Sequence, residues 1–214
     1  MDKYSYDINL FKFNNIVKKI FNVEKLELLH ESVPHDNQCP DDPSKDQKTN
    51  FHKIFYSAYE DECNEILPEY RKFIHLIREK HFSDFTTLIY QTRPTFRVHA
   101  PGNIAVAKWH KDKLYNHSSN EINIFLPLTD AFDTNTIWSE SEEDKQDYQP
   151  MNAKYGEYFV WNGANLNHGN KKNETAVSRV SLDFRVISKD NFNYSGTSVT
   201  QKVEMSLGKY WSEI

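Results

Sequence analysis

The chain has 214 residues and a net charge of -5, with 38% hydrophobic and 14% aromatic residues. At that length a chain buries about 70% of its unfolded surface and folds without disulfides or metal, and the rings oppose the disorder that a mean hydropathy of -0.77 would otherwise suggest. The acidic balance disfavours nucleic acid as the main partner. The absence of a long apolar run excludes a membrane span, and the polar N-terminus argues for a cytoplasmic protein. Cys39 and Cys63 form neither a zinc pattern nor a disulfide scaffold and read as reduced thiols.

In chain order, the front reads as helical. Residues 8–29 carry Ile8, Phe11, Ile16, Val17, Ile20 and Phe21 near helical spacing. Residues 31–50 are polar and proline-punctuated, a surface loop. Phe51, Ile54, Phe55, Ala58 and Tyr59 resume a helical stripe, and Tyr70, Phe73, Ile74 and Ile77 form another. Pro68 is expected to break or kink the helix between them, near Leu67. From Pro94 the period becomes two, with strands expected at 95–99, 104–110, 121–127, 136–139, 156–161 and 177–187. The acidic stretch 139–150 reads as a solvated loop or as a lid over a site. Helices ahead of about six strands imply an α+β chain with a mainly β core, a sandwich or barrel with helices packed outside.

Three elements carry chemistry. His110 and Asp112 are spaced i, i+2 at an expected strand end, so a ring nitrogen and a carboxylate oxygen can reach one ion. Alone the pair is weak, because nine histidines make incidental pairs common. His168 follows an apolar strand in a glycine-flanked turn, between Gly163 and Gly169. The run 177–186 then alternates, with Val180, Leu182, Phe184 and Val186 on one face and Arg179, Ser181, Asp183 and Arg185 on the other. That polar face suits either a solvated edge strand or a barrel interior that holds a polar ligand. Trp109, next to His110, should point the opposite way and join the core.

In this order, His-x-Asp, then His, then Arg-x-Ser resembles the Fe(II)/2-oxoglutarate-dependent oxygenases. Within that superfamily, 121–129, 135–141 and 168–185 are similar to a small bacterial branch found in streptomycin-type biosynthetic clusters. The resemblance implies a distorted double-stranded β-helix (jelly-roll, cupin-like) over 94–188, helical support in 1–90 and a C-terminal extension in 189–214, as a single domain. It implies Fe(II) on His110, Asp112 and His168, with 2-oxoglutarate and O2 as cosubstrates. Arg179 would pair with the distal carboxylate of 2-oxoglutarate, and Ser181 would hydrogen-bond the same group. Because Asp112 is present, hydroxylation, or a related desaturation or epimerisation, is favoured over halogenation. The implied enzyme is a dioxygenase, a hydroxylase of a small polar metabolite such as an amino acid, amino-sugar or secondary-metabolite precursor.

Further candidates follow from the barrel interior. Asn123 would bind 2-oxoglutarate or make a structural hydrogen bond. Arg97 and His99 would face the cavity. Trp138 and Glu140 would form a substrate wall, and Tyr115 would border the entrance. Arg185 would hold substrate or pair with Asp183. The N-terminal helices would support the barrel or form a homodimer interface. The competing reading is a non-redox, cupin-like epimerase or ligand-binding module, in which His99 and His117 join the metal set.

Overall fold

The computed structural model describes residues 1–34, 47–106, 108–194 and 196–214. Cys39 and most of the expected 31–50 loop lie outside the described residues; Cys63 is free and exposed.

The chain opens with a strand, β1 (Asp2–Ser5). The first helix, α1, spans Phe13–Phe21 rather than starting near residue 8. Its start is delayed by a turn in which Asp7 accepts at its side chain from Asn9 N and at its carbonyl from Leu10 N and Phe11 N. Its end is set by Asn22, left-handed at φ 53°, whose N–H returns to Lys19 O while Val23 N returns to Lys18 O. A short turn and α2 (Leu29–Ser32) follow. Helix α3 is Asn50–Glu60 and α4 is Ile66–His81. The break between them falls before Pro68. The proline is the third residue of α4, in the first turn, where N–H groups have no acceptor within the helix.

The β part is wholly antiparallel in its named pairs. One sheet runs β1, β7 (Glu157–Trp161), β4 (Ile122–Pro127), β9 (Arg179–Ser188), β2 (Leu88–Gln91), β10 (Trp211–Glu213), with β3 (Thr95–His99) also on β9. A second sheet runs β6 (Gln149–Pro150), β5 (Ile137–Ser139), β8 (His168–Asn170). Strand β9 is the axis: β4 flanks one edge, and β3 and then β2 flank the other. The C-terminal stretch is therefore part of the main sheet, since β10 pairs with β2. Among the described residues of the expected strand 104–110 no strand is present; a backbone bridge joins His110 to His168.

The two faces of β9 separate as the alternation predicts. Val180, Leu182, Phe184 and Val186 are buried in the main core with α1, α3 and α4. The contacts are largely aromatic: Phe96 stacks on Phe55 at 4.0 Å, and Tyr70 meets Phe184 edge-on at 5.2 Å. The opposite face of β9 looks into a pocket lined also by β3, β4, β5, β7 and β8. Among the described residues, no helix is long and apolar enough to cross a membrane.

Candidate metal centre

His110, Asp112 and His168 converge, with one ligand atom from each lying within 4.8 Å of the others. Two backbone features bring them together. His110 and His168 form a reciprocal antiparallel pair, N to O at 2.9 Å in both directions. Asp112 N then donates to Gly163 O at 3.1 Å and Lys113 N to Ala164 O at 3.2 Å, so the two ligand loops are zipped side by side. Gly163 is required at this contact, because a Cβ there would stand 2.8 Å from the Asn123 and Trp161 side chains.

The donor atoms are prepared for a cation. Nδ1 of His110 lies 2.8 Å from the Lys108 carbonyl, and Nδ1 of His168 lies 2.9 Å from the Leu166 carbonyl. A carbonyl only accepts, so each ring carries a proton on Nδ1 and turns Nε2 towards its partners. Both Nε2 atoms face Asp112 Oδ1, at 3.4 and 3.8 Å. Asp112 Oδ2 is occupied: it accepts from Arg185 Nε and Nη2 at 2.9 and 2.8 Å and from Asn123 Nδ2 at 2.7 Å. One oxygen thus anchors the carboxylate and the other is left for an ion. Burial alone would raise the Asp112 carboxyl, but Arg185 above all, with the neighbouring histidines, holds it well below the usual carboxylate range. Burial, reinforced by His110, pushes His168 down to about 4, which keeps the ring neutral at physiological pH. Two histidines and one monodentate carboxylate suit a first-row divalent cation with open coordination positions.

Arg179 lies in the same pocket and is 1% exposed. Its Nε donates to Asn135 O at 2.9 Å and its Nη1 to Ser181 Oγ at 2.6 Å. Among the described residues no carboxylate oxygen comes within 4 Å of it. Burial lowers its pKa to about 10, so it remains a cation. Ser181 orients Arg179 by accepting from it.

The other expected site residues divide. Arg97 and Asn123 line the pocket. Asn123 takes the structural role, on Asp112, while its Oδ1 is buried without a partner, as is Trp161 Nε1 in the same wall. Tyr115 borders His110, edge to face at 5.1 Å. Arg185 pairs with Asp112 rather than Asp183, and reaches Gln91 Oε1 at 3.3 Å and Glu121 Oε2 at 3.5 Å. His99 is packed away: its ring nitrogens lie 3.0 and 2.9 Å from the carbonyls of Asn135 and Asn103, and a neutral ring donates to one of them. His117 is on Glu121 at 2.9 Å, so neither it nor His99 joins the metal group. Trp138 donates to Asp133 O and packs under Lys171, away from the pocket lining. Glu140 is buried as a loop staple, accepting from Gln146 N and Asn167 N.

Trp109 is not core. It is 37% exposed and packs on Tyr148 and over Gly169, because the strand that would have fixed its direction does not form. The acidic 139–150 stretch is pinned beside the site: Lys111 reaches Glu143 and Asp144 at 3.0 and 2.6 Å, and Lys113 reaches Glu143 at 2.6 Å. Sequence reasoning missed Glu121, fully buried and held by His117, Ser118 N and Tyr194. A single acid ahead of an apolar strand offers no signal. It also missed the wall formed by Thr95, Trp161 and Asn170.

The fold and site together define a β-rich protein with a candidate centre for a divalent metal among the described residues. No family model matches the chain. Over the full length of both chains it is 34% identical to a curated relative, "Streptomycin biosynthesis protein StrG" of Streptomyces griseus. The chain belongs to the StrG family. Among solved structures it is similar to AviO1 from Streptomyces viridochromogenes Tue57, at 13% identity over 89% of each chain with a TM-score of 0.47. It is also similar to a Pseudomonas putida prolyl-4-hydroxylase, at 11% identity over 88% of this chain and 92% of that one with a TM-score of 0.46.

Proposed function

We propose that the protein is an Fe(II)- and 2-oxoglutarate-dependent dioxygenase that hydroxylates a small polar metabolite. One observation carries this reading: a two-histidine, one-carboxylate centre shares its pocket with a buried arginine that, among the described residues, has no carboxylate within 4 Å. A buried guanidinium without an anion is costly, and its fork matches a carboxylate bidentately. His110, Asp112 and His168 would hold the metal, and Arg179, set by Asn135 O and Ser181, would receive the distal carboxylate of 2-oxoglutarate. When bound, iron and 2-oxoglutarate supply O2-dependent C–H oxidation coupled to decarboxylation to succinate. The chain's own work is to fix the ligands through Arg185 and Asn123, keep the His168 imidazole neutral, and wall the pocket with Trp161, Ile137 and Val106.

In this reading the two sheets are the halves of a distorted double-stranded β-helix within one domain. The substrate is a free small molecule, not nucleic acid or membrane, and the enzyme is cytoplasmic, its front helices free to serve a homodimer. The relative's name places that protein in streptomycin biosynthesis, which favours a secondary-metabolite precursor here. The test is succinate release by protein supplied with Fe(II), 2-oxoglutarate and O2. His110→Ala and His168→Ala should abolish it, and full turnover in both variants would remove the assignment.

A further inference from the structure

Asp183 is the acidic group in the pocket lining that the proposed chemistry leaves unused. It lies on β9 between Ser181 and Arg185, on the polar face of the strand, and is half-buried in the pocket wall. Among the described residues its carboxylate accepts no hydrogen bond, and no lysine, arginine or histidine nitrogen lies within 4 Å of that carboxylate. The three arginines around it have other duties. Arg185 is committed to Asp112, Arg97 has contacts of its own, and Arg179 awaits the cosubstrate. Burial raises the Asp183 carboxyl above its usual range against the pull of Arg179, Arg97 and Arg185, which is the mark of a carboxylate short of a close partner.

Resting on the oxygenase reading, we infer that Asp183 is a specificity-determining residue that receives an ammonium group of the substrate. Position supports this. Residues two apart on one strand face stand roughly 7 Å apart, so Asp183 is one step from Arg185, which grips the metal-ligating Asp112. A substrate held at Asp183 by one end would present a neighbouring carbon to the metal face. A charged amine fits better than a hydroxyl, because a cation neutralises the carboxylate whereas a neutral donor leaves it a buried charge.

The test uses the whole chain loaded with Mn(II) and 2-oxoglutarate under argon, with loading confirmed by calorimetry. Paramagnetic broadening by Mn(II) is then compared for ethanolamine and ethylene glycol, probes of similar size that differ by ammonium against hydroxyl. Wild type should broaden ethanolamine on the order of tenfold more, the gain of one charge-assisted contact, and Asp183→Asn should bring the two probes to parity. Parity in wild type, absence of broadening for both, or a preference that survives in Asp183→Asn overturns the inference while metal and 2-oxoglutarate binding stand. Because the wild-type comparison is complete by itself, a variant that fails to fold does not rescue it. Failure to bind Mn(II) and 2-oxoglutarate at all overturns the oxygenase reading and this inference with it.

Discussion

Arg185→Met separates two properties of the candidate metal centre, its stability without metal and its affinity for metal. In the wild type, Arg185 gives two hydrogen bonds to Asp112 Oδ2, at 2.9 and 2.8 Å, with the two side chains 16% and 3% exposed. Methionine fills much of the volume but removes the cation. Asp112 then keeps only Asn123 Nδ2 on that oxygen. Breaking a buried pair by removing one partner costs about 3–5 kcal/mol. For a chain of this size that is roughly 2–4 °C per kcal/mol, a fall of about 6–20 °C in Tm in the presence of EDTA.

Metal affinity has two opposing contributions. Removing a positive charge beside the site favours a second cation, but losing the two bonds that fix the carboxylate plane frees Oδ1 to turn away. The positional loss wins, because Arg185 bonds Oδ2 and leaves Oδ1 to the histidine side. Loss of such an outer-sphere partner typically lowers affinity about 10–100-fold. Thermal melts in EDTA and calorimetric titration with Mn(II) read the two quantities, and Arg185→Lys should recover stability more than affinity, since a point charge does not restore the fork. A Met variant that melts with wild type in EDTA and binds Mn(II) equally would refute the assignment of Arg185 as the group that positions Asp112.

Gly169→Ala places a Cβ 2.8 Å from the Trp109 ring, so a loss of about 1–3 kcal/mol is expected, with a change in tryptophan fluorescence as the ring is displaced beside His110. Phe96→Ala removes the ring stacked on Phe55 at 4.0 Å and on Phe21 at 5.7 Å, and denaturant melts should show a loss of about 3–5 kcal/mol. His99 is held by burial at about 4, below its unfolded value, so the unfolded chain binds the extra proton. Its contribution is whole above about pH 6.5 and is lost as pH falls towards 4, on the order of 3 kcal/mol in all. Urea midpoints of metal-free protein should therefore drop across that window.

The candidate metal ligands were legible through their order, His-x-Asp then His ahead of Arg-x-Ser, and Arg179 through the alternation of β9. Val180, Leu182, Phe184 and Val186 declare the core face of β9, and the charged residues between them can only look the other way. What stayed hidden depends on pairing between distant residues. Arg185 was visible as a candidate, but its partner Asp112 is 73 residues away, and Asp183, adjacent on the same face, was the nearer guess. Strands β1, β8 and β10 have four, three and three residues, too few for a period to register. Trp109 was misplaced for a related reason: parity predicts direction only inside a strand, and 104–110 is held at one bridge rather than along a ladder.

That single bridge explains how an irregular segment can carry a rigid centre. A metal site needs its ligands fixed to within about 0.5 Å, and a loop alone does not provide that. Here the first histidine is locked to the second by two backbone bonds, each imidazole is locked to the carbonyl two residues before it, and the aspartate between them is locked to β4 and β9 through Asn123 and Arg185. Each ligand is thus held at an atom other than its donor. The donor atoms are left facing one another: both Nε2 atoms point at Asp112 Oδ1, the buried His168 ring is kept neutral, and the Asp112 carboxyl is kept ionised. With the two Nε2 atoms 3.4 and 3.8 Å from an ionised carboxylate oxygen, the arrangement suits a divalent cation, which all three ligand atoms can face attractively.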